Sequence, residues 1–132
     1  AGVRYGPLHA LGVFARANRD SLKTARFLLE IRMDVNMQAR PQGMFEQECL
    51  KAQARLAEVG AAACSMQTRF EASIPGITPL GLAAYAGNAA LIKLLLAFDA
   101  DLLANDRGDF PEDLAIINGH TNIIPLLATF FA

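Results

Sequence analysis

The stretch GITPLGLAAYAGNAALIKLLLAFDAD, residues 76–101, sets a Thr-Pro pair before one short apolar segment and a Gly-Asn pair before a second. Thr78 can cap a helix with its hydroxyl while Pro79 takes the first helical position, where a missing N–H costs nothing. Leu80, Ala83 and Ala84 supply a small-residue face that lets a neighbouring helix come close. Gly87 suits the left-handed conformation that ends the first helix, and Asn88 starts the next. In that second helix Leu91, Ile92, Leu94, Leu95 and Leu96 form a nearly continuous apolar surface, the pattern of a helix covered on more than one side. A lone helix pair cannot bury such a surface, whereas stacked copies can.

A second copy is present. At an offset of 32 residues Gly76 aligns with Gly108, Pro79 with Pro111, Leu82-Ala83 with Leu114-Ala115, Gly87 with Gly119, Asn88 with His120, and Leu94-Leu95 with Leu126-Leu127. One shared offset over so many positions marks an internal repeat.

These residues resemble the ankyrin repeat, whose pattern runs Gly-x-Thr-Pro-Leu-His-x-Ala-Ala-x-x-Gly-His, then a Leu-Leu pair, then Gly-Ala-Asp and a hairpin finger. Residues 76–101 match at Gly76, Thr78-Pro79-Leu80, Ala83-Ala84, Gly87, Leu94-Leu95 and Ala100-Asp101, and depart from it at Gly81 in the His place and Asp99 in the Gly place. Residues 108–132 read as a terminal, irregular repeat, with Phe110, Glu112 and Asp113 where Thr, Leu and His are usual. Pro125 within its second helix is expected to bend or shorten it. Residues 6–36 resemble a first repeat: GPLHAL (6–11) stands for the Thr-Pro-Leu-His start and FLLEIRMDVN (27–36) for the helix end and finger. RANRDS (16–21) reads as a lengthened turn, with Asp20 or Ser21 as the next helix cap.

Residues 37–75 fit least well. Gly43 lies 33 residues before Gly76, the family period, yet MFEQECLKAQARLAEVG lacks a Thr-Pro start and a mid-unit glycine. It reads as one amphipathic helix with Phe45, Cys49, Ala52, Leu56 and Val59 on one face and Glu48, Lys51, Arg55 and Glu58 on the other. The segment is a degenerate repeat or a helical insertion, with the balance towards an elongated helix pair in the place of a repeat. Residues 64–76 read as a loop into the regular repeat at 76–107. The resemblance thus implies a single all-α domain over residues 1–132, a solenoid of stacked helix pairs with short hairpin loops.

Composition agrees with such a stack. Of 132 residues 53% are hydrophobic and 19% charged, which is rich in core-forming residues and unlike a disordered chain. Residues 1–36 carry six Lys/Arg against three Asp/Glu, and residues 76–132 carry two against six. No long basic run marks a nucleic-acid surface. Every apolar run falls short of the roughly 20 residues that a membrane-spanning helix needs. The two cysteines, Cys49 and Cys64, are too few for a disulfide framework or a metal site, which points to reduced thiols in an intracellular, cytoplasmic setting.

Catalysis has no anchor. His9 and His120 occupy positions where the family commonly has a structural His, and neither stands at ligand spacing from a carboxylate. Cys49 and Cys64 read as small buried hydrophobes. The acidic group Asp99, Asp101, Asp106, Asp109, Glu112 and Asp113 lacks the alternating spacing of a calcium loop and reads as a solvated hairpin, with a docking surface for a basic partner as the alternative. No metal or cofactor is expected.

The resemblance implies a protein-binding or scaffold domain whose partner docks on the hairpin fingers and first helices. Carried onto this chain, those positions are Asp101, Leu103, Asn105, Asp106 and Arg107 on the finger, Leu82, Tyr85 and Ala86 on the first helix, and Ile117 and Asn118 on the next; Leu82 and Ala86 fit contacts with neighbouring repeats equally well. Tyr85 and Arg107 carry the most weight, because aromatics and Arg dominate typical interface energies. The apolar ending NIIPLLATFFA (122–132) supports a second expectation, a chain docked permanently in a larger assembly through Phe130 and Phe131, since stacks need a polar end cap. A third is a regulatory region of a larger enzyme or channel.

Overall fold

The computed structural model describes residues 3–4, 19–31 and 33–131, and side chains for 22–31 and 33–128. The GPLHAL start and His9 lie outside the described residues. Among those described there are seven α-helices and one two-stranded pairing, an all-α stack.

Three helix ends are built alike. Helix α4 (Pro79–Ala86) starts under Thr78, whose hydroxyl accepts the Gly81 N–H at 3.1 Å. It ends when Asn88 N–H reaches the Ala83 carbonyl and Gly87 N–H reaches Ala84, with Gly87 left-handed at φ 72°. Helix α5 (Ala89–Ala97), capped by Asn88, ends with the same pair of bonds, Ala100 to Leu95 and Asp99 to Leu96. There the left-handed place falls to Asp99, at φ 64° the one non-glycine with positive φ among the described residues. Helix α6 (Pro111–Ile117) ends likewise through His120 to Ala115 and Gly119 to Ile116. At its start Phe110 has no capping side chain, and Asp113 takes over by accepting the Phe110 N–H at 2.9 Å.

One local expectation is corrected. Helix α1 (Arg19–Glu30) begins at Arg19, so Asp20 and Ser21 lie in its first turn and are not its caps. Pro125 shortens its helix as expected: the positions matching the start of α5 form a 3-10 turn (Thr121–Ile123), and helix α7 (Ile124–Phe131) begins only one residue before the proline, where its missing N–H is best tolerated.

The largest correction falls between residues 43 and 73. Helix α2 (Gly43–Val59) buries Cys49, Ala52 and Leu56 on the expected face. Residues 64–76 are not merely a loop: Ser65 accepts the Thr68 N–H and starts helix α3 (Met66–Ser73), which packs along α2. The capping signal Ser65-x-x-Thr68 lay in the sequence, but the weak apolar pattern of MQTRFEAS hid the helix behind it. Gln53 Nε2–H to the Ala72 carbonyl, and Arg69 to the carbonyls of Ala61 and Cys64, hold this helical hairpin together from within.

The main core joins the remaining helices. Ala25 and Leu29 of α1 pack with Leu91, Ile92 and Leu95 of α5, and Ile123 and Leu127 close the other side. Thus α1, α5 and α7 form one row, and α4 and α6 a second row beside it. Helix α5 is covered on both flanks, which is what its all-round apolar surface requires. A smaller cluster joins Ala39, Cys49, Ile74, Ile77, Leu82, Tyr85 and Leu114, with Phe45, Phe70 and Ile117 at its edge.

Candidate protein-binding surface

The finger after α5 is organised by Asn105, which is only 6% exposed. Its Oδ1 accepts the N–H groups of Arg107 and Asp109, and its Nδ2–H donates to the Ser73 carbonyl at 3.0 Å. Asn105 N–H bonds the Asp109 carbonyl and Gly108 N–H bonds the Asn105 carbonyl, closing the turn. This residue, expected to face a partner, is instead the post around which the finger is wound.

The segment after α1 lies alongside. Asn36 exchanges two bonds with Asp101: its Oδ1 accepts the Asp101 N–H at 2.9 Å and its Nδ2–H donates to the Asp101 carboxylate at 3.1 Å. Arg40 reaches both carboxylate oxygens of Asp106 at 2.9 Å and steadies itself on Gln38. Asp106 N–H meets the Pro75 carbonyl, and strand β2 (Arg40–Pro41) pairs antiparallel with strand β1 (Val3–Arg4). Neither Asn36 nor Arg40 was singled out from sequence, because their partners stand 65 and 66 residues away.

What remains open on the finger is Leu103, 39% exposed, together with the outward parts of Asp101, Asp106 and Arg107; Arg107 also pairs with Asp109 at 3.2 Å. The first-helix residues behave differently. Leu82 and Tyr85 are 4% and 6% exposed and belong to the interior. The Phe70 ring lies 5.9 Å from the Tyr85 ring, tilted against it, and the Arg69 guanidinium bears on the Tyr85 hydroxyl. Burial pushes the Tyr85 phenol up from its ordinary range, and the Arg69 charge opposes this in part. Ala86 is exposed, while Ile117 is half-buried and Asn118 spends its side-chain amide on the Tyr85 carbonyl at 2.8 Å. The expectation of Tyr85 as an exposed anchor is corrected: α3, a helix where the sequence reads as loop, folds back over it.

The remaining chemistry is quiet. Cys49 and Cys64 are free and buried; burial, then the charges of Glu71, Glu46 and Glu48, push the Cys49 thiol up to about 11, far from a reactive thiolate. The His120 ring lies against the bare backbone of Gly87, where an added Cβ would stand 2.5 Å from Nδ1. Among the described residues no group of three or more His, Cys, Asp or Glu could hold a metal ion, and no helix is long and apolar enough to cross a membrane. Phe130 and Phe131 close α7, and their side chains lie outside the described ones.

The family model for ankyrin repeats (three copies) matches residues 17–130. The chain belongs to the ankyrin repeat family. No curated protein matches it closely enough to count as a relative. Ankyrin repeats are generally protein–protein interaction modules and typically non-catalytic. The helix pairs, the left-handed ends and the tied fingers of this chain are the structural terms in which that membership is expressed.

Proposed function

We propose that this chain is a non-catalytic protein-binding module that works inside the cell and presents its ankyrin fingers to a protein partner. Leu103 is the apolar contact, and Asp101, Asp106 and Arg107 set the charge pattern around it. The observation that carries this reading is the tying of the two neighbouring fingers by Asn36–Asp101 and Arg40–Asp106. Those bonds fix the finger backbone before any partner arrives, so little ordering entropy is left to lose on binding. Two buried free thiols suit a reducing compartment.

The test is cross-linked affinity capture with the wild type, a Leu103→Asp/Arg107→Glu finger variant, and a Phe27→Ser control on the exposed face of α1. Proteins captured by wild type and control but reduced at least about tenfold with the finger variant support the reading. Equal capture by all three refutes it. A second reading, a chain docked in a larger assembly through its last repeat, is favoured by Ile116, 55% exposed on α6. It predicts that the wild type self-associates or precipitates in light scattering while Phe130→Ser/Phe131→Ser stays monomeric.

A further inference from the structure

The bonds that close the finger after α5 recur elsewhere, split across the sequence. In that finger Asn105 N–H meets the Asp109 carbonyl and Gly108 N–H meets the Asn105 carbonyl. In the preceding one Ala39 N–H meets the Ile77 carbonyl at 2.8 Å and Gly76 N–H meets the Ala39 carbonyl at 2.9 Å. Ala39 thus stands where Asn105 stands, and Gly76 and Ile77 stand where Gly108 and Asp109 stand. The next residues agree: Asp106 bonds Pro75 of the neighbouring segment, and Arg40 pairs with Arg4 of its own neighbour. Helix α1 also packs on α5 as α5 packs on α7, so the units on either side of residues 41–75 are already in contact without them.

We infer that the α2–α3 hairpin is an insertion at the tip of the first finger, folded back to occupy in cis the first-helix surface on which a partner would otherwise dock. Seven of the eight residues of α4 are buried, and among the described residues the hairpin covers Leu82 and Tyr85 together with Leu114 and Ile117 of α6. The covering is apolar, through Phe45, Cys49 and Phe70. The hairpin's own hydrogen bonds run inside it, from Gln53 to Ala72 and from Arg69 to Ala61 and Cys64. Its tie to the stack is the Ala39 stem, the Asn105–Ser73 bond and the Arg69–Tyr85 contact, and Arg69 Nε is left buried without a partner. A separate small core of Ala52, Leu56, Cys64 and Ala72 lets the hairpin keep its shape when it lifts. Lifting would open a groove shaped by the Phe70 ring and the Arg69 guanidinium of α3, so the occupant it fits in trans is an amphipathic helix presenting that same pair, an aromatic beside an Arg.

This rests on the proposed protein-binding role and on a partner reaching past the fingers to the first helices, but its test reads the hairpin alone. The unmodified chain is exposed to a thiol reagent over a urea series below the unfolding transition, and Cys49 and Cys64 are followed separately by mass spectrometry. Closed, Cys49 is buried and protonated. Expected is Cys49 labelling at least about tenfold faster than global unfolding permits, with a urea slope well below that of global unfolding, because only the hairpin interface is exposed. Phe70→Ala should raise the Cys49 rate by about tenfold or more while shifting the global midpoint less. Cys49 labelling with the full global slope in the unmodified chain would make the hairpin a fixed wall of one cooperative core and overturn the inference. Failure of the finger variants above, with sub-global Cys49 labelling, would refute the binding surface and leave the moving hairpin standing.

Discussion

Substituting Gly76 separates backbone strain from crowding, because Gly108 holds the matching place with nothing near it. Both glycines have positive φ, 77° and 88°. A Cβ at Gly108 meets nothing within 4 Å, so Gly108→Ala carries only the left-handed penalty of about 1–2 kcal/mol, offset by about 0.5 kcal/mol of lost unfolded-state freedom. A Cβ at Gly76 would stand 2.7 Å from the Asp106 amide nitrogen and press into the Asp106 carboxylate. To regain contact distance the finger must withdraw, which weakens the 2.9 Å Asp106–Pro75 bond and the Arg40–Asp106 pair. A lost backbone bond is worth about 1 kcal/mol, and a half-exposed ion pair at most about 1 kcal/mol. Gly76→Ala should therefore cost about 1.5–3.5 kcal/mol and Gly108→Ala about 1 kcal/mol, read by urea unfolding with far-UV circular dichroism. Adding Asp106→Ala should recover part of the Gly76→Ala loss, since the side-chain contact goes and the amide stays. Equal costs for the two single variants would refute the argument that the finger's approach, rather than φ, makes Gly76 necessary.

Two further outcomes are expected. Asp99→Gly should stabilise the chain by about 0.5–1 kcal/mol, because Asp99 occupies the left-handed end of α5 where the neighbouring helices have glycine; an unchanged or lower melting temperature would contradict this. Asn105→Ala should cost about 2–4 kcal/mol by leaving two finger N–H groups and the Ser73 carbonyl without their partner, and should speed amide exchange at Arg107 and Asp109 ahead of the α5 core; a uniform change in exchange would refute the local role.

Much of the stack is written locally. Thr78-Pro79 and Asn88 start helices, Gly87 and Gly119 end them, and Leu91 to Leu96 demand cover, all within a few residues of one another, so their physics needs no knowledge of the rest of the chain. The repeat period adds the expectation of stacking. The same period sets Gly43 33 residues before Gly76, whereas Ala39 closes directly onto Gly76 and Ile77, the observation on which the proposed insertion rests.

What the sequence determined by itself is therefore the helix pairs of residues 76–127, their caps and the family they resemble, because each depends on short-range hydrogen bonding and apolar spacing. Tertiary structure alone decided which side chains of that repeat face water. Tyr85 became core because Phe70 and Arg69 come back to cover it, and Asn105 became a post because the Ser73 carbonyl arrives beside it. Asp106 was paired only when Arg40 reached it from the neighbouring finger. Contacts across 15 to 66 residues leave no period or local pattern in the chain; they exist only once the stack has brought distant segments to the same place.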